Sequence, residues 1–221
     1  MAADLQVYPV RIALAPDAPT AVLTLINRGD TDTLLQLSVV AWSQDSGGDK
    51  LEPTRDILAN PGVFLLKGGE QQIARFALRV PEDVKERSYR IVVQEVPRQR
   101  VVMGFSTILR MLIPVFVPTP NPTVAMAWSA RQVDGGVEIA AHNDGNVHVQ
   151  VKTLKISGEG ITPGGKVVNM YVLPGATGFI RLPFAKPVAV GSTLQLQVDS
   201  DQVGFSASVR VGALEGVSGR H

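Results

Sequence analysis

The chain has no cysteine, so disulfides, thiolate nucleophiles and thiolate metal sites are all excluded; this alone does not identify a compartment. Histidine is scarce as well, with three residues: His142, His148 and His221. His142 and His148 flank a turn with no carboxylate cluster at ligand spacing. A metal site needs three or more converging ligands, so both are read as solvent-facing turn residues, and no metal is expected. Aromatic residues make up only 5% of the chain, with two Trp and three Tyr, which argues against a carbohydrate-binding accessory module. Neither sign of charge dominates: 21 basic and 20 acidic residues leave a formal +1, and a nucleic-acid surface needs a clustered basic excess. The sequence contains no G-x-S-x-G elbow, P-loop or G-x-G-x-x-G. The neighbouring carboxylates Glu82 with Asp83, and Asp199 with Asp201, fall in loop-like stretches and read as turn and solvation residues. We therefore expect a protein that is not an enzyme and uses no cofactor and no small-molecule substrate. The opening MAADLQV lacks the apolar centre of a signal peptide, which fits either a cytosolic protein or a mature exported one with an added Met. The closing GVSGRH reads as a disordered tail.

What the chain does contain is β-structure. Helical periodicity is almost absent, and short β-rich runs alternate with Gly, Pro, Asn and Asp. Residues 5–14 read as a first strand broken by Pro9, which belongs at an edge or bulge. Residues 21–26 and 34–42 flank NRGD, where Asn27 and Gly29 are expected at positions tolerating positive φ; the Arg28-Gly29-Asp30 adhesion tripeptide is explained by that turn. Residues 44–55 read as a charged loop, 64–66, 71–80 and 89–96 as strands, and 81–88 as a polar loop. VPTPNPT, residues 117–123, is Pro-rich and stiff and marks a domain boundary. The second half repeats the grammar of the first: residues 137–141, HNDGN and 147–156 mirror strand, NRGD, strand, with Asn143 in the place of Asn27 and Gly145 in the place of Gly29. LLKGG is likewise echoed by VLPG ahead of residues 176–182. Strands at 193–198 and 204–211 close the chain.

Residues 101–117, VVMGFSTILRMLIPVFV, form the longest apolar stretch and carry one charge, Arg110. It is too short to span a bilayer as a helix, which takes about 20 residues, and reads as an unusually long strand. One alternating row holds Val101, Met103, Phe105, Thr107, Leu109, Met111, Ile113 and Val115; the other includes Ile108, Arg110 and Leu112. Two readings stand at this point: a central strand buried on both faces, or an edge strand kept apolar for another protein. Arg11, inside an otherwise apolar first strand, is a second isolated cation. Burying a guanidinium unpaired is costly, so each Arg reaches solvent, an internal carboxylate or an anionic group of a partner. The planar guanidinium fork suits a carboxylate.

The sequence resembles the periplasmic pilus-assembly chaperones of the chaperone–usher pathway. The resemblance is carried by LQVYPVRIAL, LTLINRGD, LQLSVVAWSQ, LEPTRDILANPGVFLLKGGEQQIARFALR, SYRIVVQEVP and IPVFV, and in the second half by HNDGNVHVQV and YVLPG. IPVFV and NDGNVHV are closer to the archaic or alternative branch of the family. The resemblance implies an all-β protein of two tandem immunoglobulin-like β-sandwich domains in a boomerang arrangement: residues 1–118, a hinge at 119–123, and 124–221. It implies a periplasmic chaperone that completes fimbrial subunits by donor-strand complementation and delivers them to an outer-membrane usher. Arg11 matches the cleft arginine that grips the subunit's C-terminal carboxylate. Arg110 follows Phe105 at the spacing of the family's second cation, which makes Val101, Met103 and Phe105 the donor row; anchoring on VFVP instead puts Ile113 at that position. Glu86 fits the loop glutamate of an interdomain ion network with Asp199 as its partner, although Val117 stands where an arginine often sits. Self-association, or disorder of the loop near 97–103, is expected to protect the donor edge in the free protein. The alternative from another class is a structural or adhesive two-domain surface protein in which the long strand is core.

Overall fold

The computed structural model describes residues 4–46, 48–97, 108–158, 161–184 and 188–213, with main chain only at 161–163. Among these residues there is no helix, and the chain forms seventeen strands. It divides into two compact units, Met1–Ser43 with Gly48–Asn121, and Gln44–Gly47 with Pro122–His221.

The strands of the first unit are β1 (Leu5–Tyr8), β2 (Ile12–Ala13), β3 (Thr20–Asn27), β4 (Thr33–Asp45), β5 (Gly48–Pro53), β6 (Ile57–Asn60), β7 (Val63–Leu66), β8 (Gln71–Leu78), β9 (Arg87–Glu95) and β10 (Arg110–Val117). One sheet has the order β1-β3-β8-β6; the other runs β2-β10-β9-β4-β5, with β7 added to β4. The first strand changes sheets partway. β1 pairs antiparallel with β3, whereas β2 pairs parallel with β10. The break falls at the cis Tyr8–Pro9 peptide, where Pro9 interrupts the ladder as the sequence predicts. Leu14, Leu23, Leu25, Leu35, Phe76, Ile91 and Ile113 fill the space between the sheets. Fully burying each such side chain contributes about 1.5–3 kcal/mol.

The second unit comprises β11 (Met126–Val133), β12 (Gly136–Asn143), β13 (Val149–Gly158), β14 (Ile161–Val172), β15 (Thr177–Pro183), β16 (Thr193–Ser200) and β17 (Phe205–Gly212), in the order β14-β13-β16-β17-β11-β12-β15. Alternate residues turn inward, clearly so in β16, where Leu194, Leu196, Val198 and Ser200 are buried and the residues between them exposed.

Four strands escape the sequence patterns. The charged stretch 44–55 is not all loop, because it contains β5. Asp49, Lys50 and Glu52 are exposed there, and an edge ladder is made by main-chain groups that need no apolar alternation. β6 is only four residues long. β14 contains Pro163, Gly164 and Gly165, ordinarily breakers; as the edge strand beside β13 it tolerates them. In β11, polar residues interrupt the apolar run.

The repeat between the halves is reproduced bond for bond. Asn27 Nδ2 donates to the carbonyls of Thr31 (2.8 Å) and Leu66 (3.2 Å), and its Oδ1 accepts from Gly29 N–H (3.1 Å). Asn143 Nδ2 donates to Val147 (2.8 Å) and Val172 (2.9 Å), and its Oδ1 accepts from Gly145 N–H (2.9 Å). The main chain repeats too: Gly69 N–H donates to Asn27 and Gly175 N–H to Asn143, at 3.0 and 2.9 Å. The expected reason for Asn27 and Gly29 needs correcting, because neither has positive φ. Both asparagines are buried and are selected for their three bonds to turn main chain. Positive φ belongs to Gly69 (75°) and Gly175 (79°), which close the echoed LLKGG and VLPG turns.

Candidate functional site

β10 lies between β9 and β2, but unequally. Its antiparallel ladder with β9 covers all eight residues from Arg110 to Val117, whereas β2 meets only Val115 and Phe116. Along Arg110–Ile113, among the described residues, the side away from β9 carries no strand. Its main-chain directions are readable. The Leu109 carbonyl accepts from Glu95 N–H, on the β9 side, and the Phe116 carbonyl accepts from Leu14 N–H, on the β2 side, both at 2.9 Å. Because a strand alternates, the odd residues bond β9. Ile108, Arg110 and Leu112 turn their N–H and C=O groups to the open side.

Side chains alternate in the same way. Ile113, Val115 and Val117 enter the core and Met111 packs against it. On the outer face Ile108 is 47% and Leu112 41% exposed, and Arg110 is exposed between them. Farther along, the same face is buried at Pro114 and Phe116. There the Phe116 ring lies 6.1 Å from Trp42, and the Arg90 guanidinium stacks 3.5 Å above the Trp42 ring centroid, with Asp49 at 3.9 Å. An apolar inner row with a partly apolar outer row is unusual at an open edge, which natural sheets ordinarily blunt with charge.

The register brings Arg11 and Arg110 onto one face. Ile12 is the partner of Val115, and both are buried on the core side. Arg11, one residue earlier and exposed, therefore falls beside Pro114 on the outer face, which Pro114 shares with Arg110. Four residue steps separate Arg110 from Pro114, roughly 13 Å along the strand. Among the described residues Arg110 makes no ion pair. Val101, Met103 and Phe105 lie outside the described residues.

Glu86 is half-buried ahead of β9, and Asp199 is exposed on β16 opposite Thr153. Of the neighbouring Asp199 and Asp201, the buried carboxylate is Asp201, and here two expectations need correcting. His148 is not solvent-facing: its side chain is 7% exposed and that of Asp201 6%, with Nε2 3.2 Å from Oδ2. Asp201 is not a solvation residue, since Oδ1 accepts from Gln150 N–H at 2.7 Å. The turn directs both side chains inward, where each offsets the other's desolvation. Nothing in the sequence pattern pairs residues so far apart. His142 does sit at the surface, 2.8 Å from Thr177 Oγ1.

Three further carboxyl or phenol groups have structural partners. Asp83 accepts from Val84 N–H at 2.7 Å and from Arg87 at 3.1 Å, and these bonds, the first foremost, hold its carboxyl below the usual range. Buried Tyr89 donates to Asp56 at 2.8 Å; burial first, then that carboxylate, pushes its phenol up to about 12. In the second unit Glu138 takes Arg181 Nε and Arg131 Nε, each at 2.8 Å, across adjacent strands. The Arg181 bond foremost, against the opposing effect of burial, lowers its carboxyl. Among the described residues no three His, Asp or Glu side chains converge to hold a metal ion.

Residues 4–121 match the sequence profile of the pili and flagellar-assembly chaperones, PapD N-terminal domain. Among solved structures, the complex of CsuC with the tip subunit CsuE, from the archaic chaperone–usher Csu pili of Acinetobacter baumannii, contains a similar chain. The TM-score is 0.68 at 23% identity, covering 96% of this chain and 99% of that one. The E. coli chaperone DraB matches with a TM-score of 0.61 and 20% identity over 94% and 97%. The Salmonella enterica complex of SafA pilin with the SafB chaperone matches with 0.60 and 15% over 92% and 95%. At these identities the likeness establishes the fold. Comparison with curated protein sequences returns no match.

Proposed function

The chain belongs to the family of pili and flagellar-assembly chaperones, and from that premise we propose that it captures fibre subunits lacking a strand and completes them with the open edge of β10. The observation that carries this reading is an open edge with apolar side chains on both faces, with Arg110 and Arg11 on the outer one. Main-chain bonds along such an edge give affinity for an extended segment whatever its sequence, and alternating side chains set register. In this reading Val101, Met103 and Phe105 are the donor side chains that fill the subunit's groove. Arg11 and Arg110 grip its C-terminal carboxylate. The setting is the periplasm, an outer-membrane usher receives the loaded subunit, and without a subunit the edge pairs with a second copy. Glu86 and Asp199 contribute to an ion network between the domains.

The test is co-purification with a pilin subunit. Arg11→Ala and Arg110→Ala abolish capture while the circular dichroism spectrum and unfolding midpoint stay within error of wild type; retention of wild-type capture by both overturns the carboxylate assignment. Phe105→Asp removes capture if the donor row is right, and unchanged capture overturns that row. Light scattering of the subunit-free protein checks self-association, and Glu86→Lys with Asp199→Lys checks the ion network through inter-domain order in scattering profiles.

A further inference from the structure

We infer that Pro114 is the stop that fixes where a captured strand ends; this rests on the reading of β10 as the capturing edge. Three observations carry it. By parity with Phe116, whose carbonyl accepts from Leu14, Pro114 directs its nitrogen away from β9, to the side that is open as far as Leu112 and where Arg11 then comes alongside. Proline has no N–H there, so the ladder loses nothing on the β9 side, where Pro114 stands opposite Arg90. And β2 begins immediately beyond, with Ile12 beside Val115.

An incoming strand running parallel to β10 places its C-terminus at this end; an antiparallel one places its N-terminus there. Two guanidinium groups on the adjoining face favour a carboxylate over an ammonium group, which selects the parallel arrangement. Such a strand alternates donor and acceptor along the edge. It accepts from the N–H groups of Arg110 and Leu112 and donates to their carbonyls. The residue that donates to the Leu112 carbonyl comes next to Pro114, where its own carbonyl finds no N–H. Continuing the strand leaves that acceptor without a main-chain partner at a buried position, whereas ending it converts the acceptor into a carboxylate that Arg110 and Arg11 can take. Pro114 thus makes the edge selective for a chain end and excludes the interior of a longer extended segment.

The experiment uses the full chain and fluorescein-labelled synthetic peptides of alternating Val and Thr: one ending in a free carboxylate, one continued by two further residues, and one with a C-terminal amide. Fluorescence anisotropy gives the affinities. We expect the wild type to bind the free-carboxylate peptide about tenfold more tightly than the continued one, as the loss of one buried hydrogen bond implies. We expect Pro114→Ala, which restores an N–H, to narrow that preference severalfold, as regaining that bond implies, and to leave the part that Arg110 contributes. Pro114→Val serves the same purpose if the Ala variant unfolds. Equal binding of both peptides by wild type, or an undiminished preference in the variants, overturns the stop while leaving the open-edge reading intact. Absence of binding to all three peptides overturns the open-edge reading and the stop with it. Arg110→Ala separates the two contributions: it weakens the free-carboxylate peptide toward the amide and leaves the continued peptide unchanged.

Discussion

β10 and β17 hold the same place in their units. Each pairs antiparallel with the strand before it, and each meets the unit's first strand in parallel over two residues: Val115 and Phe116 with β2, Val211 and Gly212 with β11. Each therefore leaves a length of edge without a neighbour among the described residues. The two differ in the face turned away from the core. Along β17 that face carries Ser206, Ser208 and Arg210, all exposed, with Gln195 donating to Ser208 at 3.2 Å. Along β10 it carries Arg110, Leu112, Pro114 and Phe116, with Ile108 just ahead of the strand. An open edge alone is thus common to both halves, and apolar character on the second face belongs to β10. The polar row of β17 is the ordinary way to keep an edge solvated; the outer row of β10 has Ile108 and Leu112 in its place, which is the character the proposed capture of a strand requires.

The largest effects should come from the paired asparagines, which test whether the halves are equivalent. Asn27→Ala and Asn143→Ala each remove three bonds to buried turn main chain. Each should cost about 3 kcal/mol in urea unfolding, since orphaned buried groups cost about 1–3 kcal/mol apiece. A cost at one site alone would break the equivalence. The glycines beside them should behave unequally. A Cβ at Gly145 would lie 2.3 Å from the Thr123 carbonyl oxygen, whereas at Gly29 the nearest atom is 3.4 Å away. Gly145→Ala should therefore cost about 1–3 kcal/mol, and Gly29→Ala should stay within about 0.5 kcal/mol of wild type.

The comparison of the two strands sharpens by exchange of their outer rows. Leu112→Ser gives β10 the character of β17; with Leu112 already 41% exposed, stability should change by less than about 1 kcal/mol, while subunit capture weakens severalfold. Ser208→Leu gives β17 the character of β10 and should create no capture in an Arg110→Ala background.

The smallest effects are the pH responses, which have opposite signs in the two units. The Tyr89 phenol has its folded value raised to about 12 from 10.0. Its contribution is complete below the unfolded value and declines as pH rises between the two. The Glu138 carboxyl is lowered, so its contribution is complete above the ordinary glutamate value and is lost as pH falls through the folded one. With Arg131 and Arg181 substantially exposed, Glu138→Gln should cost about 1 kcal/mol or less at neutral pH. Tyr89→Phe should flatten the alkaline limb, and Glu138→Gln the acid limb, of denaturant midpoint against pH.

Most of the fold was legible because apolar alternation and turn residues are local signals. The tandem repeat was visible in two asparagines and four glycines, although the physical reason for the asparagines was hydrogen bonding. β14 was hidden by Pro163, Gly164 and Gly165, because only its place at the sheet edge makes them acceptable. β5 was hidden by its charges. In the site, Arg11 and Arg110 were visible as cations in apolar strands, but their shared face depends on the parallel pairing of Ile12 with Val115, which no local pattern contains. The burial of His148 against Asp201 was not legible for the same reason.

The matched asparagine and glycine anchors also measure the two halves against each other. Asn27 and Gly69 stand 42 positions apart, Asn143 and Gly175 only 32. The surplus lies in the interval that holds β5, β6 and β7, and the anchoring bonds at its ends are unchanged. The frame therefore tolerates a ten-residue difference in span, which makes the part of this interval ahead of β7 the place to graft or shorten sequence without disturbing either clamp, since Leu66 at the end of β7 is itself an Asn27 partner.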